Sequence, residues 1–176
     1  FLDARDNKVY NTVQIGSQCW MKENLNYATG TSACYGGNPA NCDNYGRLYD
    51  YNSVSTACPT GWHLPNDVEW CTLTTFIDPT VNCAATGISG TDAGNKMKET
   101  GTTFWLPPNN GATNSSGFSA RGGGSSFSAL MSRACFWSTT DYSGGKWSWE
   151  LFYNDARIAR NVYGTSNQLS VRCIKI

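Results

Sequence analysis

The sequence predicts one α+β domain over residues 1–176, built from two helices, small twisted antiparallel sheets and long ordered loops, and stapled by disulfides. Three observations lead there. Only 15% of the side chains are charged, yet the mean hydropathy is −0.42, so the polarity comes from neutral Asn, Ser, Thr, Gly and Tyr. Such residues favour turns and short strands over a helical bundle. Eight cysteines, an even number, are spread along the whole chain. The last fifty residues alternate with period two, whereas helical stripes are confined to two short segments. A chain of this length buries a core without help from a metal or a partner.

The elements follow in order. Val9, Tyr10, Val13 and Ile15 read as a strand, Gly16-Ser17 as its turn and Cys19-Trp20-Met21 as the return. Residues 31–46 are turn material, above all Gly36-Gly37-Asn38-Pro39, and Arg47–Tyr51 is a short extended piece. The first helix begins after Pro65. Asn66 is a good N-cap, and Asp67 and Glu69 sit where the helix dipole favours anions. Val68, Cys71, Leu73 and Phe76 form its stripe, and Asp78-Pro79 ends it. A second short helix is expected around Ala93–Thr100. Gly111, Gly117 and Gly122-Gly123-Gly124 make residues 101–128 a long loop. In the stretch 147–154, Trp147, Trp149, Leu151 and Tyr153 are assigned inward, and Ser148, Glu150, Phe152 and Asn154 outward. Ile158, Arg160 and Val162 alternate with Ala159 and Asn161, so residues 155–157 turn a hairpin. Leu169–Ile176 is a closing strand.

Composition excludes several functions. Thirteen basic residues balance thirteen acidic ones, so no pull toward nucleic acid or an anionic membrane is expected. No apolar run reaches the roughly 18 residues of a membrane helix. Phe1-Leu2-Asp3-Ala4-Arg5 has no apolar stretch behind it, so no signal peptide is expected within these residues. With one histidine, His63, and no Cys-x-x-Cys, disulfides outweigh a zinc site, and no metal or cofactor is expected. Disulfides place the chain in an oxidising setting: secreted, on a cell surface or on a virion. Cys34 and Cys42 flank a turn, and Cys71 and Cys83 flank a helix end, so each is expected to pair locally.

The catalytic inventory is thin. There is no Gly-x-Ser-x-Gly elbow, no phosphate loop and no dinucleotide fingerprint, and the three consecutive glycines lack the flanking strand and lysine of a phosphate cradle. His63 lies between Trp62 and Leu64 and reads as a packed, hydrogen-bonded residue. The conspicuous feature is aromatic: 7 Trp, 9 Tyr and 7 Phe. The tryptophans read as core. Tyrosine among Asn, Ser, Thr and Gly in the stretches 138–145 and 152–168 has the composition of an adaptable binding face.

Several segments carry a resemblance. They are Val13–Tyr27 (VQIGSQCWMKENLNY), Tyr45–Tyr49 (YGRLY), Cys58–Pro65 (CPTGWHLP) with Glu69-Trp70, Gly117–Ala120 (GFSA), Phe136–Thr140 (FWSTT) and Ser170–Lys175 (SVRCIK). In this order they resemble the Fibrobacter succinogenes major paralogous domain over nearly the whole chain. The resemblance implies a C-type lectin-like fold of the formylglycine-generating-enzyme type. It also implies a Cys58–Cys173 pair tying the chain ends, which leaves Cys19 and Cys135 to each other. It brings no enzyme with it, because Cys135 and Cys173 sit in Phe-Trp-Ser and Val-Arg-Cys contexts. The Glu-Pro-Asn and Trp-Asn-Asp triplets of calcium-dependent lectins are missing as well.

The C-terminal stretch is also similar to variable proteins of diversity-generating retroelements, in which adenine-directed mutagenesis rewrites Asn-type codons. Such codons never become Trp, Lys, Glu, Gln or Met, so Glu150 would be a fixed outward exception. This likeness implies a diversifiable ligand-binding region over about residues 138–168, at Asp141, Tyr142, Ser148, Phe152, Asn154, Ala159, Asn161, Tyr163, Thr165 and Asn167. Its partner would be a protein or carbohydrate target on another cell or particle surface. The rival readings are an adhesive domain of a bacterial surface protein or pilus, and an enzyme related to the formylglycine generators.

Overall fold

Turn residues cut the chain into short elements. The computed structural model describes residues 1–54 and 56–176. Paired strands β1 (Leu2–Asp3) and β2 (Lys8–Val9) lead into a hairpin of β3 (Thr12–Ile15) and β4 (Gln18–Met21). Then come α1 (Pro39–Tyr45), β5 (Leu48–Tyr49), α2 (Tyr51–Val54), β6 (Trp62–His63), α3 (Asp67–Ile77), β7 (Gly87–Ser89) and α4 (Ala93–Met97). A long loop follows, and the chain closes with β8 (Arg133–Tyr142), β9 (Gly145–Phe152), β10 (Ile158–Tyr163), β11 (Leu169–Ser170) and β12 (Ile174–Lys175).

Two sheets organise the domain. One runs β5-β11-β8-β9-β10-β7, the other β3-β4-β12-β6. All their pairings are antiparallel except β11 with β8, where Ser170 lies beside Phe136. Helix α3 packs between them. Asn66 accepts a hydrogen bond from Glu69 N at 2.9 Å, and the Glu69 carboxylate accepts one from Asn66 N at 2.8 Å, a reciprocal cap that fixes where the helix starts. Trp70 is its inward anchor. Its ring centroid lies 5.0 Å from Trp20, 5.9 Å from Phe118 and 5.4 Å from Phe136. All seven tryptophans are buried. On the far side of the six-stranded sheet a second cluster gathers Tyr49, Cys135, Trp137, Leu169 and Val171 with Met21 and Trp62.

The expected α+β class stands, with four helices among the described residues rather than two. Residues 39–45, read as turn, form α1, because Asn38 caps Ala40 N at 3.1 Å and Pro39 takes the first helical turn. Tyr51 starts α2 instead of ending a strand. Of the stripe expected on α3, Leu73 is buried and Cys71 packs against the core, but its two ends face water. Val68 and Phe76 are exposed, and the buried face is Trp70, Leu73 and Thr74, because the indole sets the rotation. The closing strand is two: β11 belongs to one sheet and β12 to the other, joined through buried Val171, Arg172 and Cys173. Arg172 bridges the crossing by donating to Asn24 Oδ1 at 2.7 Å and Met21 O at 3.1 Å. In the 101–128 loop, Gly122 and Gly124 are buried. A Cβ at Gly124 would stand 2.4 Å from Ser128 O, so the backbone itself fills that space.

Three disulfides are closed: Cys34–Cys42, Cys71–Cys83 and Cys58–Cys173, with Cα separations of 4.9, 5.7 and 5.9 Å. The expected Cys19–Cys135 bond is not formed. Cys19 lies on β4, partly exposed, and Cys135 is buried near the start of β8, so the two belong to different sheets.

Candidate functional site

The register of β8, β9 and β10 fixes two faces. Toward α3 point the rows Phe136–Trp149–Arg160 and Ala134–Leu151–Ile158, with Trp147 beside Val162. On the opposite face lie Trp137–Ser148–Asn161, Cys135–Glu150–Ala159, Arg133–Phe152 and Lys146–Tyr163.

At the hairpin end the α3-side residues form a column. The Asp67 carboxylate, in the first turn of α3, accepts from Arg160 Nε at 2.9 and 3.0 Å and from Trp149 Nε1 at 2.9 Å. The Arg160 guanidinium carbon lies 3.3 Å from the Trp147 ring centroid. Trp147 in turn lies 4.2 Å from Tyr142, with the rings 34° apart. Tyr142, 49% exposed, is thus held from below by a chain of contacts anchored on a helix. Across the strand, Lys146 Nζ sits 2.6 Å from the Asp141 carboxylate and 4.2 Å from the Tyr51 ring centroid. The tip therefore offers an aromatic ring packed on Trp147 beside an Asp141–Lys146 ion pair whose carboxylate faces water.

The other face has a polar floor. Cys135 Sγ lies 3.9 Å from the Tyr163 hydroxyl. Burial first, then the nearby Glu150 carboxylate, pushes the Cys135 thiol well above its usual value. Burial also raises the Tyr163 phenol. A thiol so raised stays protonated and unreactive. Glu150 is 1% exposed and accepts from Asn161 Nδ2 at 2.8 Å. His63 Nε2 lies 2.7 Å from Glu69 Oε1, so its ring is engaged with the cap of α3. Among the described residues, no three His, Cys, Asp or Glu side chains are grouped to hold a metal ion.

The ten residues singled out in the sequence fall unevenly. Asp141 and Tyr142 are exposed at the β8–β9 turn, Asn154 is exposed in the β9–β10 connection, and Thr165 is exposed in the loop after β10. Phe152, Asn161, Tyr163 and Asn167 are half-buried. Ser148 and Ala159 are buried, not outward. Both are short side chains in mid-sheet rows, lying below larger neighbours such as Trp137, Glu150 and Asn161. Glu150, assigned outward, is buried too. The sheet is covered on both sides, so alternation does not sort core from surface. The sequence reading missed Arg133, Lys146, Arg160 and Tyr51 as parts of this region. Their role depends on cross-strand and helix contacts that no local pattern encodes.

Fold and site together define a disulfide-bonded α+β domain whose C-terminal hairpin carries an organised aromatic and charged end. Among the described residues, no helix is long and apolar enough to cross a membrane. The model of the Fibrobacter succinogenes major domain matches residues 13–175, and the chain belongs to that family. Searches of curated proteins and of solved structures returned no match.

Proposed function

We propose that this chain is a non-enzymatic recognition domain. It is a lectin-like scaffold that binds a protein or carbohydrate target on another cell or particle through its diversifiable C-terminal surface, and it works in secreted form, at a cell surface or on a virion. The observation that carries this reading is Tyr142, a half-exposed ring held in place by Trp147, Arg160 and Asp67. A rigid aromatic loses little entropy on binding and supplies much contact area. Three disulfides support an oxidising location. The protonated Cys135 thiol and the capped His63–Glu69 pair leave these groups poorly suited to nucleophilic work.

The test is flow cytometry of the fluorescently labelled domain on a panel of bacterial cells, wild type against Tyr142→Ala. The variant should lose under about 1 kcal/mol of stability, since it gives up one partly exposed ring contact. Binding to any cell type that the wild type labels should fall by roughly 2 kcal/mol, or about thirtyfold. Equal labelling by a folded variant would move the site away from the hairpin end.

A further inference from the structure

Glu150 lies at the centre of the sheet face opposite α3 with a partner missing. Its side chain is 1% exposed. One oxygen accepts from Asn161 Nδ2 at 2.8 Å, while the other, Oε2, is buried and receives no hydrogen bond. The cation paired with it is Arg133, whose Nη1 stands 3.4 Å from Oε2, outside hydrogen-bond geometry. The Arg133 side chain is 40% exposed, and its guanidinium carbon rests 5.1 Å from the Phe152 ring centroid.

We propose that the Glu150 carboxylate is the seat for a cationic side chain, a guanidinium or ammonium presented by a protein target, and that Arg133 holds the place until the target arrives. The inference rests on the recognition reading above and names the chemistry that the surface takes. A carboxylate removed from water costs several kcal/mol unless a charge and hydrogen bonds replace its hydration. Here the charge is supplied only loosely and one oxygen is left bare. Two other polar groups on this face, the Cys135 thiol and the Tyr163 phenol, are 3.9 Å apart and are kept neutral by burial. An incoming guanidinium would give Oε2 a charge-assisted bond, about twice as strong as a neutral one. Phe152 and Tyr163, half-buried on the same face, are flat surfaces against which a planar cation stacks. The Arg133 side chain, 40% exposed, would turn outward from Phe152 as the replacement enters.

The experiment titrates ethylguanidinium into the folded domain and follows the Asn161 side-chain amide by proton–nitrogen NMR. Wild type, Glu150→Gln and Arg133→Met are compared, and each is checked by its melting temperature. Arg133→Gln, which keeps part of the stem, replaces Arg133→Met if that variant does not fold. Saturable binding is expected in the wild type and none in Glu150→Gln. In the Arg133 variant binding should tighten by about tenfold, because the internal competitor is gone. Binding that survives Glu150→Gln, or that weakens without Arg133, overturns the proposal. So does a titration in which methyl glucoside, and not the cation, moves the Asn161 amide. If no protein binds ethylguanidinium while Tyr142→Ala still abolishes cell labelling, the recognition reading stands and only the cation seat falls.

Discussion

Replacing Asp67 with Ala removes the foot of the column that carries Tyr142. Three donors converge on this carboxylate: Arg160 Nε, Arg160 Nη2 and Trp149 Nε1. Arg160 and Asp67 side chains are only 10% and 13% exposed, so the pair is shielded from water and salt. Removing one partner of a buried ion pair costs about 3–5 kcal/mol, because the other charge stays buried and alone. The orphaned indole N–H adds a penalty of about 1–3 kcal/mol. These losses share one carboxylate and partly overlap, so the expected total is about 4 kcal/mol. For a chain of this size that lowers Tm by roughly 8–16 °C. Urea unfolding followed by tryptophan fluorescence, with disulfides intact, measures it. Arg160→Met keeps an unbranched stem against Trp147 and removes the charge. The Asp67→Ala, Arg160→Met double variant should cost less than the sum of the singles by about 1.5–3 kcal/mol. A single-variant cost under about 1.5 kcal/mol, or full additivity, would refute the idea that a shielded ion pair holds the column together.

Two further outcomes are expected. Thiol titration of the native protein should modify the partly exposed Cys19 quickly and leave Cys135 untouched, with a second equivalent appearing only in denaturant; two fast equivalents would contradict the buried position of Cys135. Lys98 is buried, with Nζ donating to Phe152 O at 2.7 Å and Asp155 O at 3.0 Å, and burial brings its pKa down from 10.5 to about 8. Between those values the unfolded chain holds more protons than the folded one, so this group makes stability rise with pH. Wild type should gain on Lys98→Met between about pH 7.5 and 9.5, below the ordinary range where buried tyrosines such as Tyr10 begin to act in the opposite sense. A relative loss over that window would overturn the assignment.

What was legible in the sequence was whatever a few neighbouring residues decide. Asn66, Glu69 and Asp78-Pro79 mark both ends of α3 because capping is local. Gly16 marks the first hairpin turn for the same reason, with φ at +58°. Asn38-Pro39 is an equally local helix start, but the two glycines before it give the segment the composition of a turn. Contacts far apart in the chain were beyond reach. The alternation of β9 told which residues share a face, but not that both faces are covered. The Cys19–Cys135 pairing failed because elimination assumes that every thiol is used. The helix dipole accounts locally for Asp67, but its partners Trp149 and Arg160 lie more than eighty positions away in sequence. The polar floor under Arg133 has no sequence signature, because it exists only when β8, β9 and β10 stand side by side.

The parallel bridge between Phe136 and Ser170 has a consequence for how this molecule tolerates change. The segment from Trp137 to Leu169 starts at that bridge and comes back to a point one strand away, about 4.8 Å, and its strands β9 and β10 stay within the six-stranded sheet. The excursion is closed at its base, so its β8–β9 turn is topologically free. Residues added or removed at Ser143-Gly144 alter the reach of the tip without changing the span that the base must close, whereas the loop after β10 is tied to α2 by Tyr51 N donating to Thr165 O at 3.0 Å. Trp147, Trp149 and Leu151 are the toll on that freedom, since they run back into the core and keep the excursion seated. A segment with fixed feet, fixed inner rungs and one open turn changes length at that turn without rebuilding its interior.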